Sequence, residues 1–128
     1  MSITALGTFD VDLISGRAEL DGAVSRFELT KIFHGDFVGT GVGVMLSGGD
    51  PMTGTAGYVA IEVVSGSFAD RVGSFALQQF GTMSAGNQTL HYEVVPGSGK
   101  GELTGISGTL HLTIDEHGTH SYLLDYDL

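Results

Sequence analysis

The sequence predicts an all-β protein in which eight strands form one antiparallel up-and-down barrel. Hydrophobic and polar residues alternate along nearly the whole chain, the pattern of strands that bury one face. No window of ten or more residues carries the stripe of an amphipathic helix. Eight hairpin-linked strands can close a sheet around an interior that side chains fill or one small ligand occupies. A two-sheet sandwich is the alternative architecture.

The first half of the chain is predicted to contain four strands, over residues 4–13, 24–33, 37–47 and 55–65. A turn at residues 34–36 separates the second strand from the third. The third has glycine at three alternate positions, so one of its faces is bare and allows a sharp bend or the close approach of another backbone. The fourth is apolar on both faces, with Tyr58, Ala60, Glu62 and Val64 on one and Val59, Ile61 and Val63 on the other.

The second half is predicted to contain strands over residues 73–83, 89–95, 108–114 and 119–128. Turns are expected at residues 85–87 and at 115–118, where Gly118 provides a positive φ. Residues 96–101 are rich in glycine and end the sixth strand, which makes this the longest irregular stretch. Residues 102–106 are expected to form no more than one tight turn.

Length, net charge and cysteine content exclude several classes of function. A chain of 128 residues predicts a single domain over residues 1–128. Its net charge of −10 repels a phosphate backbone, so nucleic acid is not expected as a partner. The absence of cysteine excludes disulfides, thiolate catalysis and cysteine-ligated metals. The sequence shows neither a secretory signal nor a spanning apolar segment, so we expect a cytoplasmic protein without a membrane partner.

Neither a nucleotide nor a metal cofactor is predicted. The GSGKG run at residues 97–101 lacks the first glycine, the final Ser or Thr and the following helix of a phosphate-binding loop. Asp115, Glu116, His117 and His120 lie within six residues, but a hairpin tip and an inward strand position do not direct the two histidines to one point. A solvated turn is the simpler interpretation.

Polar residues at inward positions point to a small-molecule cavity. Burying such a group without a partner costs roughly 1–3 kcal/mol, so these residues must pair, bind water or line a cavity. The alternative is a Lys31–Glu62 ion pair at the barrel mouth above a filled core. The residues predicted to bind a largely apolar ligand are Lys31, Phe33, Tyr58, Glu62, Phe75, Gln79, His120, Tyr122 and Tyr126.

Two further hypotheses follow from the same pattern. If the barrel is an enzyme, its groups suit acid–base assistance without a cofactor, with Glu62 or His120 accepting a proton and Tyr122 donating one. If it is instead a non-catalytic interaction protein, we expect a homo-oligomer interface that buries the outward residues Val59, Ile61 and Val63.

Five ordered segments resemble a bacterial family of small uncharacterised proteins that is placed with the allene oxide cyclase-like barrels. They are KIFHGDFVG at residues 31–39, AGYVA at 56–60, GSFALQQFGTM at 73–83, VPGSGKGEL at 95–103 and HSYLLDY at 120–126.

The resemblance implies an eight-stranded, lipocalin-like barrel in a superfamily that includes plant allene oxide cyclases and bacterial polyketide cyclases. In those relatives the cavity folds a flexible apolar substrate into a reactive conformation. A cyclase or isomerase role is therefore the enzymatic alternative, although no functional residues of the relatives map onto this chain. One departure from the family's Leu-Gln-His segment is Gln79, which stands where histidine is expected.

Overall fold

The computed structural model describes residues 2–85 and 87–128, so Gly86 in the predicted 85–87 turn lies outside the described residues. The strands are β1 (Ile3–Ser15), β2 (Ser25–Gly35), β3 (Phe37–Asp50), β4 (Thr55–Phe68), β5 (Arg71–Ser84), β6 (Asn87–Val94), β7 (Lys100–Gly101), β8 (Ser107–Ile114) and β9 (His120–Asp127). Two short 3-10 turns, Leu20–Gly22 and Pro51–Thr53, lie between strands.

Eight of these strands form a closed antiparallel barrel, which confirms the predicted fold class. The order around the barrel is β1, β2, β3, β4, β5, β6, β8 and β9, and β9 pairs with β1 to complete it. The additional strand, β7, has only two residues and lies in the stretch predicted to be irregular. It pairs with Gly73 and Ser74 of β5 because the chain folds back across one end of the barrel there.

That end, which we call the closed end, is filled. Residues 95–106 cross it, and Leu103 and Ile106 are 0% and 2% exposed. Beneath them aromatic rings pack at centroid distances of 4.6–5.7 Å, as for Phe68 with Tyr126 and Phe37 with Phe75. The sequence predicts a tight turn at residues 102–106 but not that this turn plugs the barrel.

The opposite end, which we call the open end, carries the loops at residues 16–24, 51–54 and 115–119. The last is the predicted hairpin, and Gly118 has the expected positive φ, 82°. The ladder between β6 and β8 contains a single pair, Glu93 with Thr109, which shows that the two strands diverge towards this end. The barrel wall is therefore weakest between β6 and β8.

The bare face of β3 points into the barrel. A Cβ added at Gly43 would lie 2.4 Å from the carbonyl oxygen of Ile61 and 2.7 Å from Cβ of Glu62. At Gly41 it would lie 3.0 Å from a methyl group of Val64. The structure thus shows the predicted close approach, in which residues of β4 occupy the space that side chains on β3 would fill.

Candidate functional site

Lys31, Glu62 and Tyr92 meet in the middle of the barrel. They lie on β2, β4 and β6, alternate strands whose inward side chains reach one layer of the lumen. Lys31 Nζ lies 2.9 and 3.1 Å from the two carboxylate oxygens of Glu62 and donates to the Tyr92 hydroxyl at 2.7 Å. Tyr92 in turn donates to Glu62 Oε1. We call these three residues the central triad.

The triad is buried on every side. Lys31 is 5% exposed and Glu62 2% exposed, and the Lys31 ammonium also lies 4.5 Å from the centre of the Phe9 ring. Glu62 Oε2 lies close to this ammonium, yet it receives no aligned hydrogen bond from any described residue. The ion pair that the sequence suggested is therefore present, but it lies in the middle of the barrel rather than at the mouth.

Burial displaces the pKa values of the triad and its neighbours. Desolvation lowers the pKa of Lys31, although the charge and hydrogen bond of Glu62 oppose the shift. Desolvation also raises the pKa of Tyr92 well above its usual value, and the charge of Glu62 raises it further. The pKa of Tyr58 is raised by the same two causes. The site therefore favours neutral phenols beside a single ion pair.

We expect the tyrosines to titrate late in the native protein. The pKa values of Tyr58, Tyr92 and Tyr122 all lie above the ordinary 10.0, so the folded state binds these protons more tightly than the unfolded chain. Their contribution to stability is complete below pH 10.0 and is lost as the pH rises through the folded-state values. The lowered pKa of Lys31 has the opposite effect: its contribution to stability increases as the pH rises towards 10.5, the ordinary pKa of lysine.

Tyrosinate absorbance measured against pH, for native and urea-unfolded protein, tests this expectation. Native protein should release most of its tyrosine protons later than unfolded protein, and Tyr92→Phe should remove one of the late protons. Coincident native and unfolded titration curves would contradict it.

A cavity of about 640 Å³ lies between the triad and the open end. Its lining is mostly apolar and comes from β2, β3, β4, β5, β6 and β8. Tyr58 lies in this lining, and its hydroxyl donates to Gln79 Oε1 at 2.9 Å. The side chains and glycines that line the cavity include Phe27, Met45, Ala56, Tyr58, Gly81, Met83, Leu90, Leu112 and Ile114.

The predicted ligand-binding residues are divided between two depths of the barrel. Tyr58 lines the open cavity, Gln79 contacts Tyr58, and Lys31 and Glu62 lie below them. The other apolar and aromatic residues lie in the filled half. Phe33, Phe75 and Tyr122 surround a void of only about 10 Å³, and Tyr126 stacks on Phe68 at 4.6 Å. The barrel thus combines the cavity and the filled core that the sequence offered as alternatives.

Tyr122 stabilises the turn between β2 and β3 by hydrogen bonds to its backbone. Its hydroxyl accepts a hydrogen bond from the Phe37 amide at 3.0 Å and lies 3.0 Å from the carbonyl oxygen of His34, to which it donates. Gly7 makes room for it, since a Cβ there would lie 2.5 Å from the hydroxyl oxygen. These contacts occupy the proton that a catalytic donor would need, and the catalytic role predicted for Tyr122 stays a prediction.

His120 lies at the rim of the open end. Its ring is 5.2 Å from that of Phe9, and Nδ1 lies 3.0 Å from the carbonyl oxygen of Gly118. His120 and Lys31 both contact the Phe9 ring, and no contact within the described residues joins His120 to Glu62. Asp115 accepts hydrogen bonds from the His117 and Thr119 amides, so it shapes the hairpin. Within residues 2–85 and 87–128, no three potential metal-ligating side chains converge.

Tyr92 is the site residue that the sequence reasoning missed. Alternation places it on the inward face of β6 between Leu90 and Val94, so the signal was available in the pattern. A buried tyrosine usually needs a partner for its hydroxyl. That requirement would have directed attention to Glu62 and Lys31, the inward ionisable residues.

Comparison with known proteins gives the chain's relatives. Residues 5–126 match the profile of a family described as "Protein of unknown function (DUF3224)". The crystal structure of a protein with unknown function from the DUF3224 family of Shewanella oneidensis MR-1 is similar, with a TM-score of 0.91 and 42% sequence identity. The match covers 100% of this chain and 98% of that one. A search of curated proteins finds no match.

Within the described residues, no helix has the length and apolarity to cross a membrane.

Proposed function

Because the chain belongs to the DUF3224 family, whose description states no function, we propose a function from the geometry of the barrel. The protein binds one small, largely apolar molecule that carries a hydroxyl group. The ligand enters at the open end and lies in the cavity above the central triad. The observation that carries this proposal is the open cavity of about 640 Å³ next to a filled and plugged half.

Size and lining support an apolar ligand. Pockets for small molecules commonly measure roughly 300–1,000 Å³ and combine apolar walls with a few polar groups. The walls of this cavity include Phe27, Met45, Met83 and Leu112. Leu90 and Ile114 line it where β6 and β8 diverge and are 38% and 56% exposed, so the wall stays apolar towards solvent. A ligand with an alkyl chain would bury these side chains.

Tyr58 supports the choice of a hydroxyl group. Its own proton is donated to Gln79, so the phenol oxygen presents an acceptor to a donor on the ligand. The raised pKa of Tyr58 keeps this phenol neutral at ordinary pH. The ion pair below it is already compensated, which disfavours a ligand with a net charge.

Nile red, an apolar dye without hydrogen-bond donors, tests whether the cavity binds. We expect enhanced dye fluorescence with one dye per chain. Ala56→Trp places an indole ring in the cavity and should abolish the enhancement of dye fluorescence. Leu6→Trp, at an outward position of β1 that is 53% exposed, is the matched control and should leave it intact. Equal binding by both variants would place the dye elsewhere and overturn the proposal.

Displacement of Nile red by 1-decanol tests the polar contact. Tyr58→Phe should weaken displacement by about fivefold, since a neutral hydrogen bond contributes about 1 kcal/mol. Direct binding of Nile red, which cannot donate to Tyr58, should change little in the same variant. If both ligands weaken equally, Tyr58 only shapes the cavity and the hydroxyl assignment is wrong.

A further inference from the structure

The outer surface of three neighbouring strands is apolar and exposed. On β4 the outward residues Val59, Ile61 and Val63 are each about half exposed, as the alternation predicted. The register places β3 and β5 residues beside them in three rows. We call these nine residues the outer face: Leu46, Val59 and Phe80 in one row, Val44, Ile61 and Gln78 in the next, and Val42, Val63 and Ala76 in the third.

Charge is absent from the outer face and from the outward positions next to it on the same three strands. The outward positions between residues 38 and 48 of β3, 57 and 67 of β4, and 72 and 84 of β5 contain neither acidic nor basic residues. The chain nevertheless has 15 acidic and five basic residues. Charged side chains begin again on the flanking strands, with Arg26 and Glu28 on β2 and Glu93 on β6. An uncharged centre with a charged rim is the usual arrangement of a protein interface.

We propose that the outer face is an isologous interface at which two copies of this chain form a dimer. A second copy carries the same charge of −10, so two copies repel each other wherever their acidic surfaces meet. On the outer face two such chains can approach without opposing like charges. A basic partner or a cationic surface would instead be attracted to the acidic remainder of the barrel.

The size of the surface is compatible with a dimer. The uncharged outward surface that has the outer face at its centre extends over about eleven residues of strand, about 36 Å, and over three strands, about 14 Å, which gives about 500 Å² in projection. Accessible surface exceeds its projection, so this uncharged surface approaches the ~800 Å² per partner of a standard interface. A groove next to the outer face adds the apolar residues Leu20 and Val24 to this surface, and its lining also includes Glu19 and Arg26. Leu20 is 75% exposed there.

Sedimentation equilibrium of the full chain tests the proposal. We expect twice the 13.3 kDa mass of one chain, and a dimer that tightens as salt rises, because salt screens the repulsion between two acidic copies. Ile61→Lys should weaken the dimer by about 100-fold or more, since it places two like charges in the uncharged centre. The matched control is Ile14→Lys, which changes an exposed isoleucine of β1 and should leave the dimer intact.

The outcomes separate association from folding. Circular dichroism should show that Ile61→Lys keeps its strands, because the side chain is 53% exposed. If it does not fold, Val59→Thr with Val63→Thr keeps β-branched residues and should still weaken the dimer. A monomeric wild-type chain, a trimer, or a dimer unaffected by changes in the outer face would each overturn the proposal.

Discussion

Replacing Lys31 alone with methionine should lower the free energy of unfolding by about 3–5 kcal/mol, the usual cost of leaving one member of a buried ion pair without its partner. The substitution leaves the Glu62 carboxylate 2% exposed and without its cation. It also removes the ammonium that donates to Tyr92. Urea denaturation of the two proteins measures the difference.

Lys100→Met is the matched control, because Lys100 is the chain's other lysine and is exposed. It should change stability by no more than about 0.5 kcal/mol. Replacing the whole triad, as Lys31→Met with Glu62→Leu and Tyr92→Phe, should recover most of the loss, since the buried charges and the orphaned hydroxyl disappear together. A loss below about 1 kcal/mol for Lys31→Met would mean that water reaches Glu62 and that the triad is not sealed.

The sequence was informative about which face of a strand each residue occupies. Alternation correctly placed Lys31 and Glu62 inside and Ile61 outside, because the side chains of a strand point to opposite faces with a period of two. Closure into a barrel followed from the number of strands and their hairpin connections. These features depend only on local order along the chain.

Height along the barrel axis was not predictable in the same way. Phe33 and Phe27 share the inward face of β2, yet Phe33 lies in the filled half and Phe27 lines the open cavity. Their heights depend on the stagger between neighbouring strands, which alternation does not encode. For the same reason the sequence offered Lys31 and Glu62 as a pair but put them at the mouth.

The turns at residues 102–106 fill the closed end, and the sequence did not predict this because their hydrophobic residues follow no periodic pattern. Leu103 and Ile106 are among the most buried residues of the protein, but they belong to a segment rich in glycine and turn residues. Backbone hydrogen bonds from Leu103 to Lys100 and from Ile106 to Leu103 form consecutive turns that aim both side chains into the barrel. Such a segment reads as a surface loop until its position across the closed end is known.

The bare face of β3 permits the last prediction, in which Gly43→Ala should destabilise the protein by about 1–3 kcal/mol, the range for overpacking a filled interior. The new methyl group would collide with the backbone of Ile61 and with Glu62, neither of which is the free end of a flexible side chain. The strand would have to move away from β4 and would disturb the triad. Chemical denaturation should show the loss.

Gly48→Ala provides the comparison within the same strand. Nothing lies within 4 Å of a Cβ at Gly48, and its φ is not positive, so alanine fits without strain. There we expect a gain of about 0.4–1 kcal/mol, because alanine restricts the unfolded chain more than glycine does. If both substitutions had the same sign, the cost at residue 43 could not be attributed to the close approach of β4. Opposite signs would tie the absence of side chains on this face to the space that Glu62 needs to reach Lys31.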